Sequence, residues 1–174
     1  MTDSATTAVS ALQQNRAVVQ EFFDAIHARD IDRMQAVWKP GGIDAFPGYR
    51  TLTVPDGQRE FFLGFFDAFH DWKVEVLDMT AEGDVVVAHW RLTAGFTGPG
   101  KFDGFSATGA KGTVQGCDRI VVQDGKIVHL DAYFDTTEMA RAIGLMPPAG
   151  SAMDNGMKKL INAQTWIKRA ISRS

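Results

Sequence analysis

GTVQGCDRIVVQDGKIVHLDAYFD, residues 112–135, is the stretch that decides the fold. On both sides of Asp124-Gly125 it alternates with period two, as two half-buried strands joined by a turn do. On the first strand the even positions are Val114, Gly116, Asp118, Ile120 and Val122, an apolar set holding one acid, and the odd positions Thr113, Gln115, Cys117, Arg119 and Val121 are more polar. On the second the even positions are Val128, Leu130, Ala132 and Phe134, against Ile127, His129, Asp131, Tyr133 and Asp135. Residues opposite one another in an antiparallel pair project to the same side of the sheet, so even must meet even. A two-residue turn at Asp124-Gly125 would set Gln123 against Lys126 and mix the faces. A three-residue loop over 123–125, with Gly125 left-handed, sets Val122 against Lys126 and is the expected connection. It places Asp118 opposite Leu130 and Gly116 opposite Ala132.

Working outward, Val85–Phe96 has the same parity: Val86, Ala88, Trp90, Leu92, Ala94 and Phe96 are even, while His89, Arg91 and Thr93 are odd. Residues 72–80 add a fourth strand, and shorter ones are expected near 43–46 and 49–53. Three helices precede this run. Leu12, Val18, Val19, Phe22, Phe23 and Ile26 form the stripe of a helix over 8–28. Asp30 caps a short second helix with Ile31, Met34, Val37 and Trp38 on its buried side, stopped by Pro40-Gly41-Gly42. Asp56 caps a third, whose Phe61, Phe62, Phe65, Phe66 and Phe69 share a face and read first as core. Helices first and an antiparallel meander after them predict an α+β domain, with helices packed on one face of a curved sheet. A helix at 136–143 closes the domain, which spans 8–148. A linker at 149–154 leads to an amphipathic C-terminal helix over 155–174, with Lys158, Lys159, Lys168, Arg169 and Arg173 beside apolar residues and Trp166. This helix is expected to pack back on its own domain, with an anionic membrane or a partner as the alternatives.

The 174 residues are 45% apolar and 22% charged, which suits one domain. With 18 basic and 21 acidic side chains the net charge is −3, and no basic cluster occurs in the first 150 positions, so nucleic acid is not an expected partner. The single Cys117 offers no disulfide, zinc or CxxC chemistry, which fits a reducing, cytoplasmic setting. MTDSATTAVS, residues 1–10, lacks a basic leader region and no apolar run is long enough to span a bilayer, so neither export nor a membrane partner is expected.

Asp118 is the one carboxylate on the inward face of the three strands from Val85 onward. Removal from water disfavours its ionised form and raises its pKa, which makes it a candidate general acid or base. The alternative is a satisfied buried acid, accepting from an indole such as Trp38 or Trp90, from Tyr49, or from a backbone amide. Around it, Trp38, Tyr49, Phe62, Phe66, Trp90, Leu92, Val114, Gly116, Leu130 and Ala132 are the expected substrate-binding surface. His89, His129 and Asp131 fall on the odd face without the compact spacing of a metal site, and no metal is expected. Gly95 to Gly112 lacks any phosphate-loop spacing and reads as a flexible loop at the cavity mouth.

AFHDWKVEV (68–76), AEGDVVVAHWRLTAGFTGPGKFDGFSATGAKGTVQGCDRIVVQDGKIV (81–128) and AYFDTTEMARAIG (132–144) resemble the SnoaL-like polyketide cyclases of the nuclear-transport-factor-2-like superfamily. The resemblance covers roughly residues 10–148. It implies a cone-shaped fold, a hydrophobic small-molecule ligand, a homodimer through the outer sheet face, and cofactor-free ring closure by an aspartate acid/base. That family's last strand ends similarly to DGKIVEHWD, and superimposing the YFD ending places its aspartate at Ala132 here. The aspartate-arginine-aspartate set of the superfamily's epoxide hydrolases would fall on Trp90, Leu92 and Ala132, which argues against that reaction. Proton transfer, if kept, rests on Asp118. The readings are thus a cofactor-independent cyclase, isomerase or dehydratase; a non-catalytic small-molecule binding protein of the same shape; and an interaction module working through the convex face and C-terminal helix.

Overall fold

A computed structural model describes residues 2–171. In chain order its elements are α1 (Thr2–Ala28), α2 (Ile31–Ala36), β1 (Trp38–Phe46), β2 (Arg50–Thr53), α3 (Asp56–Ala68), β3 (His70–Glu82), β4 (Val85–Gly95), β5 (Lys111–Gln123), β6 (Lys126–Phe134), α4 (Thr136–Ala142) and α5 (Ala152–Ile171). The strands form one six-stranded sheet in the order β2-β1-β6-β5-β4-β3. β3 to β6 are the expected antiparallel meander, whereas β1 enters parallel to β6 and carries β2 at the edge. The core lies between the inner sheet face and the helices. Val19, Phe22, Phe23 and Ile26 of α1 are buried, as their spacing requires. Arg29, just past α1, donates to the carbonyls of Phe66 (3.3 Å) and Phe69 (3.0 Å), so a cation meets the negative end of α3 and ties the two helices together.

The β5–β6 connection differs from the expected three-residue loop. Asp124 and Gly125 both have positive φ, 50° and 71°, the signature of a type I′ turn, and Gln123 pairs with Lys126. Parity is restored one step later: Val122 faces Ile127 but Val121 faces His129, so Val128 is an inserted residue. The Asp-Gly turn suits the strand twist, and the bulge then keeps Leu130 and Ala132 in the core, so two local preferences are satisfied by one extra residue. Asp118 consequently faces Ala132 rather than Leu130, Ile120 faces Leu130, and Gly116 faces Phe134 rather than Ala132.

Other boundaries shift for local reasons. α2 ends at Val37, its C-cap, and Trp38 begins β1 instead of extending the helical stripe. Pro40-Gly41-Gly42 ends nothing: Gly41 takes φ 82°, the register with β6 slips between Trp38 and Ile43, and the strand continues. The residue before α3 is Pro55, with no side-chain cap; Asp56 is the first helical residue and favours the positive helix end. Asp30 and Asp135 do cap α2 and α4, Asp135 accepting from the amides of Thr137 and Glu138 at 2.7 and 3.1 Å. The 95–112 segment is not loose, since Gly98 lies where a Cβ would meet the Asp67 carbonyl at 1.9 Å and its N–H reaches Ala68. α5 starts inside the expected linker, with the Ser151 hydroxyl accepting from Asp154 N–H. Nor does α5 pack back on the domain: Met153, Leu160, Ile161, Trp166, Ile167 and Ile171 are exposed. The end of the expected 155–174 helix, with Arg173, lies outside the described residues. Among the described residues no helix is long and apolar enough to cross a membrane.

Gly116 marks the tightest approach in the sheet. A Cβ there would stand 2.4 Å from Cζ2 of Trp90 and 2.7 Å from the Tyr133 carbonyl. Overpacking of this kind costs about 1–3 kcal/mol, so Gly116→Ala should lower the urea midpoint accordingly, with the slope of the transition unchanged.

Candidate functional site

The inner face of β4, β5 and β6 and the aromatic side of α3 enclose a cavity of about 130 Å³, on the order of ten water-sized positions. Phe61, Phe62 and Phe65 form one wall, Trp72 and Phe102 another, and Leu92, Val114, Leu130 and Phe134 the floor. Asp118 lies on this floor, 5% exposed. Its Oδ1 accepts from Trp90 Nε1 at 2.7 Å. The bond is diagonal across two strands: Trp90 faces Gly116, and the missing side chain there lets the indole lie across β5 and reach the next inward residue. Phe134 flanks the indole with ring centres 6.2 Å apart.

Of the expected binding residues, Tyr49, Phe62, Trp90, Leu92, Val114, Leu130 and Ala132 line the cavity. Three do not. Trp38 lies in the core edge-on to Phe22 at 5.8 Å, because it belongs to β1 and not to α2. Phe66 turns toward Phe62 and Trp72 and under the Arg29 guanidinium. Gly116 lies beneath the Trp90 ring and shapes the site through it. Trp72 Nε1, on a residue of the wall, is buried and makes no hydrogen bond to the protein.

A second acid in the wall was not singled out from the sequence. Asp44 of β1 is 1% exposed and faces Leu130, so it flanks β6 on one side as Asp118 does on the other. Gln58 of α3 donates to its Oδ2 at 2.8 Å. The signals were present: Gln58 is the polar member of the helical stripe Gln58, Phe62, Phe65, Phe66, and Asp44 shares parity with Phe46, which also lines the cavity. Burial pushes the Asp118 carboxyl up to about 8; the Trp90 bond opposes the rise and the Asp44 charge adds to it. Burial raises Asp44 to about 6, with the Gln58 bond and His129 opposing.

On the outer face His89 contacts Asp78 and Gln115, while His129 contacts Asp131 at 3.0 Å, so the two imidazoles belong to separate groups. Among the described residues no cluster of three or more His, Cys, Asp or Glu side chains is placed to hold a metal ion.

The sequence profile of the SnoaL-like domain matches residues 19–130. The chain belongs to the SnoaL-like family. No protein among the curated sequences matches it. Among solved structures this SnoaL-like chain is similar to AclR of Streptomyces galilaeus, assigned as a hydroxylase, at 21% identity over 90% of this chain and 98% of that one, with a TM-score of 0.69. It is similar to a protein of Jannaschia sp. CCS1, assigned as a SnoaL-like polyketide cyclase, at 26% identity over 78% and 94%, again at 0.69. TerC, co-crystallised with polyporic acid, matches at 18% identity over 75% and 98%, at 0.63. The α+β architecture is that of the nuclear-transport-factor-2-like proteins, and the similar structures include one assigned as a hydroxylase and one assigned as a polyketide cyclase.

Both carboxyls hold their proton more tightly folded than unfolded, where an aspartate titrates near ~3.9. Their contribution to stability is therefore complete below pH ~4 and is lost as pH rises, through about 6 for Asp44 and about 8 for Asp118. The melting temperature should fall from pH 6 to 8, and Asp118→Asn should remove most of that fall, a difference of roughly 1–3 kcal/mol by urea titration.

Proposed function

We propose that this protein transfers protons, with no bound cofactor, on a hydrophobic polyketide-like or cyclic carbonyl metabolite, cyclising, isomerising or dehydrating it with Asp118 as general acid/base. The observation that carries this reading is a single indole-held carboxyl in an otherwise apolar floor, kept protonated near neutral pH by burial. Such a group donates to a carbonyl oxygen in a site where water does not compete. The phenylalanine wall suits a flat ring. The Jannaschia relative assigned as a cyclase and the TerC complex with polyporic acid support a ring-bearing carbonyl ligand.

One observation favours the second reading, a binding protein of the same shape: Ala132 stands where the family's acid is expected. The two part on 2-tetralone, a bicyclic ketone sized for the cavity. In deuterated buffer at pH 7 the wild type should speed exchange of its α-hydrogens by roughly 10²-fold or more, followed by NMR. Asp118→Asn should lose that acceleration while still quenching the Trp72 and Trp90 fluorescence on binding. Binding by the wild type without exchange would leave the binding protein as the reading.

The homodimer belongs to the same proposal. The outer sheet face exposes Val87 (40%) and Tyr133 (52%) near the sheet centre, and light scattering on Tyr133→Glu should give a monomer where the wild type gives a dimer. We place the protein in the cytoplasm, where the exposed Cys117 thiol would stay reduced.

A further inference from the structure

We propose that one side of α5 packs antiparallel against the same side of α5 in a second copy of this chain, so that the two C-terminal helices clasp the homodimer. The inference rests on the dimer reading and adds to the sheet-face contact a second interface, with its register and its direction.

The first turn of α5 is anchored: the Ser151 hydroxyl accepts from Asp154 N–H, and Asp154 Oδ2 accepts from Gly150 N–H at 2.8 Å and from Lys158 Nζ at 2.6 Å. Beyond that turn the helix has little cover, and Met153, Leu160, Ile161, Ile167 and Ile171 are each half or more exposed. A helix of 20 residues draws most of its stability in water from burying one face, so this face lacks its other half. Met153, Met157, Leu160, Gln164, Ile167 and Ile171 follow one another at spacings of four, three, four, three and four. That is the a and d seam of a heptad repeat, with Met157, Gln164 and Ile171 at a and the other three at d.

The seam selects its occupant. A strict a and d stripe is narrower than the face a helix turns to a sheet or a lipid surface, and it fits another helix. Gln164 in the middle of the stripe would be carried into the apolar layer of a membrane, whereas in a helix pair one polar residue at a fixes the register. Lys158, Lys159 and Arg169 fall at b, c and f, so two basic helices can lie together with these charges turned outward. A second copy is complementary when the two-fold axis passes Asn162: Met153 meets Ile171 of the second copy, Met157 meets Ile167, and Leu160 meets Gln164. The same axis sets Ile161 against Ile161 on one flank and Ala163 against Ala163 on the other, which adds apolar contact and lets the backbones come close. A parallel pair would instead set Ile161 beside Gly156 and Lys168 beside Ala163, and would align the helix dipoles unfavourably. The pair covers on the order of 1,000 Å², about where a specific interface begins. From Met153 to Ile171 the seam is short of three heptads, too short to hold two copies by itself. Joined to the sheet-face contact it closes within one assembly, where the second contact forms at a high effective concentration.

The test is cross-linking of the full chain in a Cys117→Ser background. Met157→Cys combined with Ile167→Cys should give a covalent dimer under copper-phenanthroline oxidation, and either substitution alone should not, because the antiparallel seam brings 157 to 167 and neither position to itself. Leu160→Glu should raise the dimer dissociation constant roughly 10²-fold or more in sedimentation equilibrium, with the near-ultraviolet circular dichroism of the domain unchanged. Covalent dimers from each single substitution would overturn the antiparallel direction. No covalent dimer from the combined variant, together with an unmoved dissociation constant in Leu160→Glu, would overturn the seam and leave the sheet-face dimer standing. Cross-linking that persists in full when Tyr133→Glu is added would do the reverse, keeping the seam and removing the sheet-face contact.

Discussion

The hydrogen bond from the Trp90 indole to Asp118 is the contact around which the site is organised. It needs an inward acid on β5, an inward tryptophan two residues out of step on β4, and no side chain at Gly116. A buried carboxyl with one neutral donor is only partly compensated for the water it has lost, so it keeps its proton rather than its charge. This turns an apolar hollow into one with a donor at its floor. The cavity is thus apolar with one proton to give at its floor, which matches an uncharged oxygen on a flat hydrophobic molecule.

Asp44 alters the meaning of that floor. Two buried carboxyls line the cavity, one on each strand beside β6. Their separation in behaviour has a plain origin: Asp44 receives the amide of Gln58 and lies near His129, and Asp118 has the Asp44 charge for a neighbour.

How much was legible follows from the range of each signal. Parity along β4, β5 and β6 put Asp118 indoors because period two needs only neighbouring residues. The exact opposition of residues did not follow, since the choice between a three-residue loop and a tight turn with a bulge at Val128 leaves parity the same. Trp38 was misplaced because Met34, Val37 and Trp38 continue a helical spacing that the pairing of β1 with β6 cuts short. Asp44 escaped notice because IDAF is apolar on both parities apart from the acid itself, and only its place between β2 and β6 says which side is core.

By itself the amino-acid order determined the class of fold, the inward acid on β5, the aromatic stripe of α3 and the family, all of which rest on local periodicity or on motif order. Tertiary structure decided that β1 joins β6 in parallel, that Gln58 and Asp44 meet across fourteen positions, and that α5 leaves its apolar side uncovered. Contacts between elements distant along the chain are set by how whole surfaces fit, and no short-range pattern encodes that fit.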